Sequence, residues 1–134
     1  MADEVLTGRR DADAPPLPLC ASQELQERGR ALVFDVVHFS RRQSAFALRF
    51  DGRVVAYLNR CVHVPTEMDW QPGEFLDSGR QFIMCSIHGA HYEPLSGRCA
   101  AGPCGRGRLT ALRVEERDGQ VYWYPSAETR PLFE

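Results

Sequence analysis

Hydrophobic positions along this chain fall into short runs separated by polar turns, with no long continuous stretch. From Ala31 onward the runs are rich in β-branched and aromatic residues: 32–39, 45–50, 54–58, 82–85, and 109–124 broken at Asp118-Gly119. Runs of this length and composition predict β-strands. Asp51-Gly52 and Asp118-Gly119 sit between such runs and supply the positive φ that tight hairpin turns need. The pattern therefore predicts an antiparallel all-β domain in which the strand at 54–58 leads into Cys61 and the strand at 82–84 leads into Cys85.

The first 29 residues read differently. They are charged at the start and then proline-rich at Ala14-Pro15-Pro16-Leu17-Pro18, which disfavours regular structure. Ser22 to Arg28 has room for a helical turn or two, but the reading adopted is a partly flexible or surface-packed extension. The expected organisation is an extension over 1–29, a domain over 30–124 and a tail over 125–134.

Composition narrows the function. At 134 residues with 43% hydrophobic content the chain is one domain's worth. A net charge of −2 argues against general phosphate or nucleic-acid binding, although Arg98, Arg106, Arg108 and Arg113 cluster late in the chain; a solvated strand face is the simpler reading. No run approaches the roughly eighteen apolar residues of a membrane span. The N-terminus also lacks the basic start and apolar stretch of a signal peptide. A soluble cytoplasmic protein without a membrane partner is expected. No glycine-rich phosphate loop precedes a helix, so neither nucleotide nor flavin is indicated.

The chemistry lies in two mixed pairs, Cys61-Val62-His63 and Cys85-Ser86-Ile87-His88. In a [2Fe–2S] centre with mixed ligation, two thiolates hold one iron and two imidazoles the other, so each pair must give one ligand to each metal. Cys-x-His followed by Cys-x-x-His does so. A tetrahedral zinc site of structural character is the alternative use of such residues.

The surroundings of the second pair decide between these. His88-Gly89-Ala90-His91-Tyr92-Glu93-Pro94-Leu95-Ser96-Gly97-Arg98, followed by Gly102-Pro103, strongly resembles the second cluster-binding loop of Rieske proteins. The resemblance covers roughly residues 30 to 124. It implies an all-β, antiparallel Rieske-type domain of the iron–sulfur-protein kind, with a cluster-binding subdomain built from two ligand loops. It further implies one [2Fe–2S] cluster with Cys61, His63, Cys85 and His88 as metal ligands, and Gly89, Ala90, Tyr92, Gly102 and Pro103 around it. His63 and His88 would lie near the surface and serve as contact points for redox partners.

The function implied by this resemblance is one-electron transport, as a ferredoxin taking electrons from a flavin reductase and passing them to a terminal oxygenase. No small-molecule substrate of its own and no catalytic residue is expected. A small subunit of a nitrite-reductase-like enzyme and a zinc-stabilised module are the competing readings. A complete oxygenase is not expected, since only His38 and His91 remain for a further iron site. The disulfide between the ligand loops of respiratory relatives cannot form, because Thr66 and Ile87 stand in the two positions. High-potential relatives carry Ser where this chain has Ala90, while Tyr92 matches an aromatic whose hydroxyl reaches a ligand sulfur; the potential expected is intermediate to low.

The segment between the pairs holds Glu67, Asp69, Glu74 and Asp77 and reads as a lengthened, solvated loop, tolerable because closure entropy grows slowly with length. Cys20, Cys99 and Cys104 are not ligands, and in a reducing cytoplasm all three are expected as thiols.

Overall fold

The two Asp-Gly turns form as expected. In the computed structural model, which describes residues 15–62 and 66–132, Asp51 and Gly52 have φ of 52° and 77°, and Asp118 and Gly119 have 53° and 76°. Two successive left-handed residues make the hairpin turn whose twist matches that of its flanking strands. The first turn joins β3 (Arg41–Phe50) to β4 (Arg53–Leu58), and the second joins β8 (Ala111–Arg117) to β9 (Gln120–Tyr124).

A third hairpin has no such sequence signal. β2 (Leu32–His38) turns into β3 through Phe39 and Ser40, at φ of 48° and 67°. Neither residue favours the left-handed region, and β3 therefore starts four residues before the run at 45–50 would place it.

With β1 (Leu17–Ala21) and β10 (Thr129–Pro131), these strands form a seven-stranded sheet in the order β1-β9-β8-β4-β3-β2-β10, with antiparallel pairing throughout. The proline-rich segment expected to be an appendage thus contributes an edge strand. Pro18 fits there because an edge strand need not donate every ladder hydrogen bond. Pro131 occupies the other edge in the same way, inside the segment expected to be a tail. After β1 comes a single 3-10 turn, Ser22–Glu24, the one helical element among the described residues. No helix among them is long and apolar enough to cross a membrane.

β3 explains how the second part of the molecule attaches. Residues 45–48 are all buried, so both faces of the strand are covered. Ala45 and Ala47 join Val36, Ala56, Leu58, Leu112, Val121 and Trp123 in one core. Phe46 and Leu48, on the opposite face by the period of two, join Tyr57, Phe75, Ile83, Tyr92 and Leu109 in another. That second core roofs the sheet with a small subdomain made of β5 (Ile83–Met84), β6 (His91–Tyr92) and β7 (Cys99–Ala101), paired in the order β5-β6-β7. Phe46 stacks on Phe75 with ring centroids 3.8 Å apart, tying sheet to roof. Burying a side chain such as Phe75 stabilises the union by about 2 kcal/mol.

Candidate metal centre

Each cysteine of the two pairs stands just beyond a strand end that is held on both sides. At the end of β4, Leu58 N–H donates to Thr110 and Asn59 N–H to Ser44, and Cys61 N–H then donates to the Thr66 carbonyl (2.9 Å) to close the first loop. The second loop is the connection of the β5–β6 hairpin: Cys85 N–H donates to Ala90 and Gly89 N–H to Cys85, both at 2.8 Å. A third bond joins the loops' surroundings, from Ser86 N–H to the Met68 carbonyl (3.0 Å).

This scaffold brings Cys61, Cys85 and His88 together, with ligand atoms all within 4.8 Å of one another. His63, the fourth residue of the pairs, lies outside the described residues. Cys61 and Cys85 are 2% and 0% exposed, whereas His88 is open to solvent. Burial pushes the Cys85 thiol above its ordinary range, and the adjacent Cys61 sulfur pushes in the same direction. Two buried thiols side by side ionise only if a cation neutralises them, and binding one releases their protons. The donor set of two enclosed sulfurs with an imidazole at the rim therefore fits an iron–sulfur group.

Tyr92 completes the enclosure from below. Fully buried on β6, its hydroxyl lies 3.5 Å from Cys61 Sγ and accepts the Val62 N–H at 3.1 Å. Because the oxygen is already an acceptor, its hydrogen is available to the sulfur. Burial first, and that sulfur second, raise the phenol well above its usual range, so it stays protonated. Ala90 is also fully buried, while Gly89, Gly102 and Pro103 are exposed. At Gly102 (φ +89°) an added Cβ would lie 2.8 Å from the Gly89 carbonyl oxygen, so the loop after β7 rests directly on the second ligand loop.

The acidic segment between the pairs is not the solvated loop expected of it. Asp69 accepts from Asn59 Nδ2 (3.0 Å) and from Gly73 N–H (3.2 Å), and Asp77 accepts from Gln81 and Phe82 N–H (2.9 and 3.2 Å). Glu74 meets Arg30 at 3.3 Å. Three of the four acids thus fold the segment onto the domain, with Met68, Phe75 and Leu76 buried beneath it; Glu67 alone is exposed. By contrast Arg98, Arg106, Arg108 and Arg113 are all exposed.

Two further features are not apparent in the sequence pattern. Asn59, 5% exposed, receives Met68 N–H at 2.7 Å and donates to Asp69, bridging the first ligand loop to the segment that follows it. Its place one residue beyond a strand end is the only hint. Cys99 and Cys104, expected as thiols, form a disulfide with Cα atoms 5.6 Å apart. Their close spacing across a Gly-Pro turn is the legible signal, and the assumption of a reducing compartment outweighs it. Cys20 is a buried residue of the sheet's own core.

Comparisons with known proteins agree with this fold. The ferredoxin of carbazole 1,9a-dioxygenase from Nocardioides aromaticivorans IC177 is similar in fold, with a TM-score of 0.64 at 21% identity over 83% of this chain and 98% of that one. A fluorene-bound oxygenase and ferredoxin complex of carbazole 1,9a-dioxygenase gives a TM-score of 0.66 at 21% identity, over 81% of this chain but 28% of that one. The terminal oxygenase of carbazole 1,9a-dioxygenase from the same Nocardioides strain gives 0.64 at 20%, over 89% and 32%. This chain therefore spans about a third or less of the oxygenase chains it matches. A search of curated protein sequences finds no match. The family model for the Rieske [2Fe-2S] domain matches residues 16–125, from the first edge strand to the end of β9, and the chain belongs to that family, with a [2Fe–2S] cluster as its cofactor.

Proposed function

We propose that Cys61 and Cys85 hold one iron of the cluster and His63 and His88 the other, and that the chain is a ferredoxin carrying single electrons from a flavin reductase to a terminal oxygenase in the cytoplasm. The observation that carries this is the asymmetry of the site. Both sulfurs are enclosed, while His88 is exposed, and Val62 and Ile87, the chain neighbours of Cys61 and His88, are 42% and 60% exposed. With the cluster bound, the exposed His88 ring would offer an electron a way out to a partner. The apolar residues beside it give a partner something to bury.

When bound, the cluster supplies one-electron redox chemistry at a potential raised by replacing thiolates with imidazoles. The chain does the rest. Cys61 and Cys85 provide the two negative charges that offset the net charge of two ferric ions and two sulfides, so the oxidised centre is neutral and the reduced one singly negative. Tyr92 Oη donates toward the Cys61 sulfur and favours the reduced form. Ala90 offers no hydroxyl donor, which favours the oxidised form relative to a Ser at that position. The oxygenase as acceptor draws support from the fold's likeness to a complete ferredoxin of such a system.

The test is metal and sulfide analysis with an EPR spectrum of the dithionite-reduced protein, purified anaerobically. Iron and labile sulfide in equal amounts, with the low average g value of a mixed Cys/His cluster, are the expected result. One zinc and no signal would overturn the assignment and leave a structural module. Reduction of a purified oxygenase by the loaded protein then tests the acceptor.

A further inference from the structure

We propose that Cys99 and Cys104 form a second, two-electron redox centre, a disulfide that exchanges with dithiol proteins and whose opening loosens the loop lying over the cluster. The inference goes beyond electron carriage but rests on the reading of Cys61, His63, Cys85 and His88 as cluster ligands.

The position of the pair is what gives it this role. Cys99 is on β7 and half-buried, whereas Cys104 is 6% exposed and belongs to the same buried group as Cys61, Cys85 and Tyr92. The bond closes a ring over Gly102, whose absent Cβ would lie 2.8 Å from the Gly89 oxygen and 3.0 Å from Ala90 Cα. β7 pairs with β6 so that Cys99 faces Tyr92, the residue touching the Cys61 sulfur. The disulfide thus clamps the covering turn onto the second ligand loop and onto the strand that carries the hydroxyl donor.

The open form is also provided for. Carbonyl oxygens of Ala101 and His91 lie 3.4 and 3.7 Å from Cys104 Sγ, acceptors in place for a thiol S–H. In the exchange, a thiolate of the incoming dithiol attacks Sγ of Cys99, the less buried of the two residues, and the Cys99–Cys104 bond breaks. Cys104 leaves and takes up a proton. The second thiol of the donor then attacks the mixed disulfide, releasing Cys99 as a thiol. The donor dithiol is oxidised by two electrons to its own disulfide, and the pair here is reduced by the same two. Such a couple can open and close with the thiol poise of the cell, which reconciles a disulfide with a reducing compartment.

Loosening the turn admits water to the cluster. Water favours the more negative reduced state, so the midpoint moves upward, and iron is lost faster. The experiment uses the loaded protein. Cysteines are alkylated and mapped by mass spectrometry before and after anaerobic incubation with dithiothreitol, while visible absorbance, midpoint potential and the rate of iron loss to a chelator are followed. Expected are labels at Cys99 and Cys104 only after the dithiol, retained absorbance, an upward midpoint, several-fold faster iron loss, and return to the starting rate on reoxidation. The C99S/C104S double variant should behave like the reduced wild type; since the wild-type comparison needs no variant, a folding failure there costs nothing.

Labelling before any reductant, resistance of the disulfide until the cluster is gone, or opening without change in midpoint and iron loss would each overturn the proposal. A colourless preparation without iron or sulfide would instead sink the ligand reading, and the coupling to the cluster with it, while the alkylation pattern would still decide the exchange.

Discussion

The seven-stranded sheet and the subdomain that roofs it are built on opposite principles. The sheet has strands of up to ten residues, and three of its six neighbouring pairs are short hairpins. The roof has strands of two, two and three residues and leans on other ties: the Asn59–Met68–Asp69 bridge, the Tyr57 hydroxyl bonded to the Pro94 carbonyl, the Cys99–Cys104 disulfide and the cluster site itself. A short closed ring of this kind contributes about 2 kcal/mol by the chain-entropy account. The difference teaches that the sheet is ordered by strand pairing over its own core, whereas the roof, with so little pairing, relies on links from its side chains and on its packing against the sheet.

The most forceful way to break this comparison is to remove one of the proposed sulfur ligands. Cys85→Ser should abolish the visible absorbance and collapse amide protection over residues 83–101 while sparing β3, β8 and β9. Hydrogen exchange followed by mass spectrometry reads both regions at once. Loss of protection throughout the sheet would mean that the two parts fold as one unit.

Smaller is the effect of Tyr92→Phe. The cluster should survive, and its midpoint should fall by on the order of 40 mV, the equivalent of about 1 kcal/mol for one hydrogen bond to sulfur. An unchanged potential in a redox titration would reduce Tyr92 to a packing residue.

Tyr57 offers a test of the joint between the two parts. Its buried hydroxyl donates to Pro94 O at 2.7 Å, and burial pushes its pKa up to about 12. The unfolded phenol titrates near 10. The folded state therefore holds the proton more tightly, and the stability this provides is full below pH about 10 and declines as pH rises toward 12. Tyr57→Phe should cost about 1 kcal/mol at neutral pH and remove that part of the alkaline decline, as denaturant titrations at several pH values would show.

The smallest change expected is on the sheet side. Glu116 pairs with Arg49 at 2.6 Å, and the Arg49 guanidinium holds its carboxyl below the ordinary range. Its contribution is present at neutral pH and lost as pH falls through that lowered pKa. Glu116→Gln should cost about 0.5 kcal/mol near neutrality, the pair being partly exposed to solvent, and converge with wild type in acid. The midpoint of the cluster should not move. A shifted midpoint would mean that the sheet and the roof are electrostatically coupled.

The same division governs what can be read from the residues. The sheet is largely legible where a local signal exists, as at Asp51-Gly52 and Asp118-Gly119. It is illegible at Phe39-Ser40, where neighbouring strands impose a turn that neither residue favours, and at 17–21, where prolines mask a strand that exists only because β9 accepts it. In the roof the meeting of Cys61, Cys85 and His88 is legible, because the two Cys/His pairs are spaced as a shared metal centre would require. The role of Asn59 depends on partners nine and ten residues away, whereas the inward use of Asp69 and Asp77 and the pairing of Cys99 with Cys104 are local contacts, hidden because acids there read as solvated and cysteines as thiols.

Pro18 and Pro131 stand on the outermost strands of the sheet, one at each margin. Neither has an N–H to offer, so each margin is interrupted as a template for another chain. Copies of the molecule are thereby discouraged from zipping together sideways. What is left for encounters is the exposed side chains between those margins, among them His88, Ile87, Phe39 and Trp70, so another molecule has to be met through side chains and not by adding a strand.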